Sequence, residues 1–211
     1  MTNPNMVYLD APQRPQAPAQ NTQNGARKFT DQVARGYDAK REQSPKWIVE
    51  QKVITDMLAD LPRDTVVLDC PVGTGRFIPF YAEKGFQILG MDISKDMLIE
   101  ASKKEAPNAK GDLVLGDILK TGLPDKCVDV AVNCRITRWV IGEHGPEGIR
   151  QMLKEMQRVT RKRIILTARV ANHQWAVSED LIKSALDGWQ IVHNVPGYVL
   201  DYRIIGLGPI A

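Results

Sequence analysis

The sequence is poor in the residues that build metal centres, disulfide frameworks and membrane spans. Its 211 residues include only three cysteines and three histidines. Cys70, Cys127 and Cys134 form neither a disulfide framework nor a metal-ligand motif. No metal is therefore expected, and a reducing cytoplasm is the natural compartment. No apolar run is long enough to cross a bilayer, and the N-terminus lacks the charged-then-apolar order of a signal peptide. Neither sign of charge dominates. Lys and Arg number 28 against 25 Asp and Glu, a formal net charge of +3. This is far from the basic signature of most nucleic-acid binders. No internal repeat is visible, and the length suits one domain with a full core.

What is present divides near residue 28. Residues 1–28 are rich in Pro, Gln and Asn and hold few large apolar side chains, too few to offset the entropy of ordering them. They read as a disordered tail, or as a docking arm whose Tyr8 and Leu9 would anchor a partner or a second subunit. From Phe29 the pattern turns helical, with Val33, Ala34 and Tyr37 on one face. Ser44-Pro45 starts another helix, serine as N-cap and proline at the first helical position. Trp47, Ile54, Met57, Leu58 and Leu61 give it a buried stripe, and Pro62 ends it. Residues 29–62 are thus N-terminal helices and residues 63–211 an α/β core, together one domain, 29–211. The core alternates strands near 65–69, 87–91, 112–116, 128–133 and 163–168 with helices near 75–84, 95–105, 146–159 and 177–187. Gly85 is a helix stop. Residues 189–193 and 198–207 flank the turn Asn194-Val195-Pro196-Gly197, and so short a connection forces antiparallel pairing.

The densest signal is Val66-Val67-Leu68-Asp69-Cys70-Pro71-Val72-Gly73-Thr74-Gly75-Arg76. It reads as a buried strand, an acid at its end, and a glycine-rich turn opening a helix. Such turns bring backbone N–H groups to a ligand at a helix N-terminus. A carboxylate there repels a pyrophosphate and attracts a ligand that carries an ammonium and a sulfonium. Ile78 also stands where a dinucleotide fingerprint has its third glycine. Gln87-Ile88-Leu89-Gly90-Met91-Asp92 and Leu113-Val114-Leu115-Gly116-Asp117-Ile118 repeat the theme of an apolar strand ending in an acid. Together these segments resemble the class I (Rossmann-like) S-adenosylmethionine-dependent methyltransferases, over about residues 29–211. The sequence departs from that pattern at Pro71, where the family usually has glycine. Proline removes an N–H, which puts one backbone contact to the ligand in question.

The resemblance implies a doubly wound, mostly parallel seven-stranded sheet that ends in a C-terminal antiparallel hairpin. It implies S-adenosylmethionine as donor and S-adenosylhomocysteine as product. Asp69 and the Gly73-Thr74-Gly75 turn would hold the methionine portion, and Asp92 the ribose hydroxyls. Ile93 and Met97 would pack on the adenine, while Asp117 and Ile118 read its edge. Asn133, closing the fourth strand, would line the cleft beneath the sulfonium. Taken singly, each aspartate is as readily a helix cap or turn acid; their joint spacing favours the ligand role.

Methyl transfer from a sulfonium is an in-line displacement of an already activated group. The protein mainly aligns and excludes water, and a base is needed only where the nucleophile must lose a proton. The catalytic residue is therefore unassigned, with Tyr37, Arg135, Arg138 and His144 as candidates. The segment from Phe29 to Arg41 resembles the N-terminal helix of small-molecule methyltransferases, including the quinone-biosynthesis type. There a Tyr-Asp pair precedes the core and the helix covers the cofactor. Tyr37 would touch donor or substrate, or pack on the sheet. Arg135 and Arg138 would suit a carboxylate or phosphate on the acceptor, or would pair with surface acids such as Glu143. His144 is a candidate base, whereas His173 and His193 read as surface or strand-edge residues. Arg150, Lys154, Arg158 and Arg161, with Lys162 and Arg163, form a basic stripe: a solvated helix face or a nucleic-acid contact. Cys70-Pro71 is not the Pro-Cys nucleophile of cytosine methyltransferases, and no Asn-Pro-Pro-Tyr run is present. The sequence thus points to methyl transfer onto a small-molecule acceptor, with nucleic acid and membrane disfavoured as partners. A protein or RNA acceptor, or a catalytically degenerate binding protein of the same fold, is the alternative.

Overall fold

Runs of Val, Ile and Leu buried on both faces are the mark of parallel strands, and five such runs build the centre of the sheet. They are β2 (Val66–Asp69), β3 (Gln87–Asp92), β4 (Lys110–Leu115), β5 (Val128–Asn133) and β6 (Thr160–Arg169). The computed structural model describes residues 6–8, 30–39, 41–104, 106–171, 176–199 and 201–210. Leu9 and His173 lie outside the described residues. The chain ends in β7 (Trp189–Pro196) and β8 (Tyr202–Pro209), which pair antiparallel, and β8 also pairs antiparallel with β6. The hairpin turn lies later than the sequence suggests. Strand β7 runs on through Pro196, and Gly197 N–H donates to the Tyr202 carbonyl at 2.6 Å.

With β1 at Met6–Tyr8, the sheet order is β1-β4-β3-β2-β5-β6-β8-β7. Seven strands answer the expectation. The eighth, β1 (Met6–Tyr8), comes from the segment read as an arm and lies parallel to β4 at the sheet edge. From β2 the chain winds outward to β3 and β4, then returns to the other side of β2 for β5 and β6. The reversal falls between β2 and β5, and ligands in open α/β sheets bind beyond the carboxyl ends of the strands at such a point. Asp69 and Asn133 end the two strands that flank it.

Alternate side chains feed two cores. Val67, Ile88, Leu113, Val130 and Ile165 join Ile54, Leu58, Phe77, Ile78, Tyr81 and Leu98 on one face. These last come from α2 (Pro45–Leu58), α3 (Ile78–Lys84) with its N-cap Phe77, and α4 (Lys95–Ala101). Leu68, Met91, Val114, Ala131 and Leu166 pack on the other face against Ile149, Met152, Leu153, Met156 and Ile182. The helices there are α5 (Thr137–Val159) and α6 (Glu179–Ser184). The short α1 (Asp31–Arg35) precedes them all, and Gly85 closes α3 at φ +75°. Helix α5 begins earlier than the sequence pattern suggests. It breaks at Gly145 (φ +62°) before Pro146, so Arg138, Trp139 and Glu143 lie in a helical turn that opens at the site. The basic stripe is divided and largely paired: on α5, Arg150 pairs with Glu147 and Arg158 with Glu155 and Asp125, while Arg161 lies in β6, past the helix end, and pairs with Asp129.

Candidate active site

The carboxyl ends of β2, β3 and β4 open onto one cavity. Asp69, Asp92 and Asp117 all line it, together with Pro71, Gly73, Thr74, Ile93, Met97, Ile118, Tyr37, Arg135 and His144. The turn after β2 is tied down by its neighbours. Cys70 N–H donates to the Val132 carbonyl at 3.0 Å, and Val72 N–H to the Met91 carbonyl at 2.8 Å. Gly73 and Gly75 both take positive φ, +56° and +78°. That is inexpensive for glycine and strained for other residues. A Cβ at Gly73 would meet nothing within 4 Å, whereas one at Gly75 would come within 2.6 Å of Ile78 Cδ1. Gly75 is therefore a packing residue outside the cavity lining, and Ile78 fills the space beside it.

The acids differ in their surroundings. Asp92 accepts from Gly73 N–H at 2.9 Å and Ser94 N–H at 2.8 Å, one on each carboxylate oxygen. It fixes the glycine turn while keeping acceptor capacity. Burial raises its carboxyl to about 6 against these amide bonds. Asp69 is buried more deeply, with the Tyr81 hydroxyl donating at 3.2 Å. Burial dominates and raises it to about 8. Asp117 takes Leu119 N–H at 2.9 Å, so it is a turn acid and a lining residue at once.

Asn133 is not a lining residue. It is wholly buried, and its side-chain NH₂ donates to the Cys70 carbonyl at 2.8 Å and approaches Met156 Sδ at 3.3 Å. It braces the turn from beneath. Arg138 is likewise absent from the lining and is exposed on α5. Tyr37 packs near the Trp47 ring, with centroids 6.3 Å apart, under the Arg41 guanidinium. The next residue, Asp38, ties this segment across the turn: it accepts from Thr74 Oγ1 at 2.6 Å and from Lys104 Nζ at 2.5 Å.

Sequence reasoning missed the residue that organises the other wall. Glu50 of α2 is 1% exposed. Its Oε1 accepts from Arg76 Nη1 at 2.6 Å, Arg135 Nε at 2.8 Å and Cys134 Sγ at 3.3 Å, and its Oε2 accepts from the Tyr202 hydroxyl. The two guanidiniums hold its carboxyl below the usual range in spite of burial. A signal was available. Trp47, Glu50, Ile54 and Leu58 are the buried residues of α2, so a carboxylate stands at a core position of the helical stripe.

Comparisons with known proteins agree with this geometry. A family model described as "Methyltransferase domain" matches residues 68–167. A malonyl-[acyl-carrier protein] O-methyltransferase of Hamiltonella defensa is 29% identical over 144 residues, 68% of this chain and 49% of that protein. The Serratia marcescens enzyme of the same description is 30% identical over 95 residues, 45% of this chain and 34% of its own. The chain thus spans half or less of the length of these relatives. Among solved structures, magnesium protoporphyrin IX methyltransferase from Synechocystis with bound S-adenosylhomocysteine superposes with a TM-score of 0.73 at 16% identity, covering 90% of this chain and all of that one. The Burkholderia thailandensis 1,6-didemethyltoxoflavin-N1-methyltransferase gives 0.66 at 16% identity, covering 98% and 95%. Matched core, strand order and acid-ended strands agree: residues 68–167 match a methyltransferase domain, and the described chain has the fold of the class I, Rossmann-like methyltransferases.

Proposed function

We propose that the protein transfers the methyl group of S-adenosylmethionine to a small-molecule acceptor. The observation that carries this reading is the convergence of Asp69, Asp92 and Asp117 with the glycine turn on one cavity. The residues fit the donor. The open space at Gly73 leaves room for a ligand against the backbone, and Ile93, Met97 and Ile118 supply an apolar slot beside the carboxylates. Asp69 would face the ammonium, Asp92 the ribose hydroxyls and Asp117 the adenine edge. When bound, the donor supplies a methyl group already activated on sulfonium. The chain's own work is to orient the two reactants and to exclude water. Tyr37 and Trp47 line the cavity, and Asp38 secures Tyr37's segment to Thr74 and Lys104. Residues 29–211 are the functional unit in this proposal, and residues 1–28 an arm open to docking or self-association. Among the described residues no helix is long and apolar enough to cross a membrane. Cytoplasmic work is part of the same proposal, supported by three cysteines that are all free.

The relatives named for malonyl-[acyl-carrier protein] favour a second reading, in which the acceptor is carried on a protein. Calorimetry with S-adenosylhomocysteine and with NAD tests the donor. Micromolar binding of the adenosyl ligand and no comparable binding of NAD is expected. No heat with S-adenosylhomocysteine would sink the reading. Transfer of a tritiated methyl group to free acids, and separately to their acyl-carrier thioesters, then separates the two acceptors.

A further inference from the structure

One part of the cavity wall holds none of the residues assigned above to the donor's ammonium, ribose or adenine. It consists of Tyr37, Trp47, Arg76, Cys134 and Arg135, with Glu50 behind it. The two arginines share one carboxylate, so the wall carries one positive charge in excess. They differ in what they have left to offer. Every guanidinium nitrogen of Arg76 is engaged: Nε with Gln51 Oε1 at 3.2 Å, Nη1 with Glu50 at 2.6 Å, Nη2 with the Trp47 carbonyl at 2.7 Å. Its side chain is 8% exposed. Arg135 uses only Nε, against Glu50 at 2.8 Å. Its two Nη groups have no hydrogen-bond partner among the described residues, and its side chain is 30% exposed. It also sits over the Trp47 ring at 5.2 Å.

Arg135 is held at both ends. Its backbone N–H donates to Thr167 Oγ1 at 2.8 Å. The Thr167 and Tyr202 hydroxyls lie 2.8 Å apart. Glu50 is ionised and only accepts, so the single Tyr202 proton goes to Glu50 and Thr167 donates to Tyr202. The loop closes from Arg135 N–H through Thr167, Tyr202 and Glu50 back to Arg135 Nε. Within it Arg135 takes φ +60°, a left-handed conformation that is strained in a residue with a Cβ. Strain held in place by surrounding structure is typical of ligand clamps.

The geometry points to Arg135 as the receptor of a carboxylate on the methyl acceptor, and to Glu50 as the residue that positions it. This rests on the methyl-transfer reading. With Nε occupied, the paired Nη groups present the planar edge that a carboxylate meets with two parallel hydrogen bonds. Tyr37, Trp47 and Trp139 in the same cavity suit an apolar body on that acid.

The test uses the full chain saturated with S-adenosylhomocysteine, and two probes of nearly equal shape, benzoate and benzamide, followed by NMR titration. Benzoate should bind at least about tenfold more tightly, the margin of a charge-assisted bond over a neutral one. Arg135→Gln should abolish that preference and leave S-adenosylhomocysteine affinity within about twofold, since Glu50 keeps Arg76 and Tyr202. Arg135→Lys should retain part of it, and Arg138→Gln all of it. Glu50→Gln should weaken the preference with Arg135 still present, and Glu50→Asp should restore some. If Glu50→Gln does not fold, Arg135→Gln decides alone. Equal binding of the two probes, or binding of neither, overturns the proposal. So does a large loss of S-adenosylhomocysteine affinity in Arg135→Gln, which would assign the arginine to the donor's own carboxylate. Absence of S-adenosylhomocysteine binding in the unaltered protein is a different failure and falls on the methyl-transfer reading itself.

Discussion

Asp69 should couple donor binding to pH. Burial outweighs both the Tyr81 hydrogen bond and the Arg76 charge and lifts its carboxyl to about 8. At pH 7 an unliganded site of this kind is only about one-tenth ionised. A ligand bringing an ammonium favours the carboxylate, so binding at pH 7 should release about 0.9 proton per site. The sign follows directly. The free protein holds the proton and the complex does not, so affinity rises with pH until the free carboxyl is itself ionised. Between pH 8 and pH 6 the ionised fraction falls from about a half to about a hundredth, and affinity for S-adenosylhomocysteine should fall about fiftyfold. Asp92, raised to about 6, adds at most a factor of about two at the acid end. Calorimetry in buffers of different ionisation enthalpy counts the released protons. 5′-Methylthioadenosine, which lacks the ammonium, is the control and should bind with nearly constant affinity above about pH 6.5. Asp69→Asn should flatten the S-adenosylhomocysteine profile and weaken binding most at pH 8. A flat profile in the unaltered protein, or undiminished proton release in Asp69→Asn, would refute the placement of Asp69 against the donor's ammonium.

Three further outcomes are expected. Asp92→Ala removes the acceptor of the Gly73 and Ser94 amides as well as the proposed ribose contacts. Hydrogen bonds to a charged group are worth about 1.5–3 kcal/mol each, so S-adenosylhomocysteine affinity should drop at least about tenfold by calorimetry, and an unchanged dissociation constant would reject the role. Asp38→Ala severs the ties to Thr74 and Lys104; one net hydrogen bond of about 1 kcal/mol predicts severalfold faster ligand release in stopped-flow displacement. A chain beginning at Ala26 loses β1, whose three residues pair with β4 at the sheet edge. Its melting temperature should stay within a few degrees, and a large drop would mean that the β1 pairing contributes substantially to the stability of the body.

The parts of this protein that were legible in its sequence are those fixed by local pattern. Val66–Asp69 and its glycine turn announce themselves within a dozen residues, because a buried parallel strand, an acid and two left-handed glycines each leave a mark on adjacent positions. Asp92 and Asp117 repeat that mark, and all three acids open onto one cavity. Asn133 was misplaced because a strand-end amide reads the same whether it points into a cleft or into the core. Here its side chain falls on the Ala131 face, beside Met156. Glu50 was illegible for a different reason. Its partners Arg76, Arg135 and Tyr202 lie 26, 85 and 152 residues away, and only the order of strands brings them together. Nor does stability account for that cluster. Taking a carboxylate and two guanidiniums out of water costs roughly what their attraction returns, and apolar residues of similar volume often serve a fold as well or better. Packing alone therefore gives no reason for a charge at position 50 of an otherwise apolar stripe. A reason appears once the cluster is seen as a mount. Glu50 pairs with Arg76, anchors Arg135 by one nitrogen, and leaves the other two for the acceptor carboxylate proposed above.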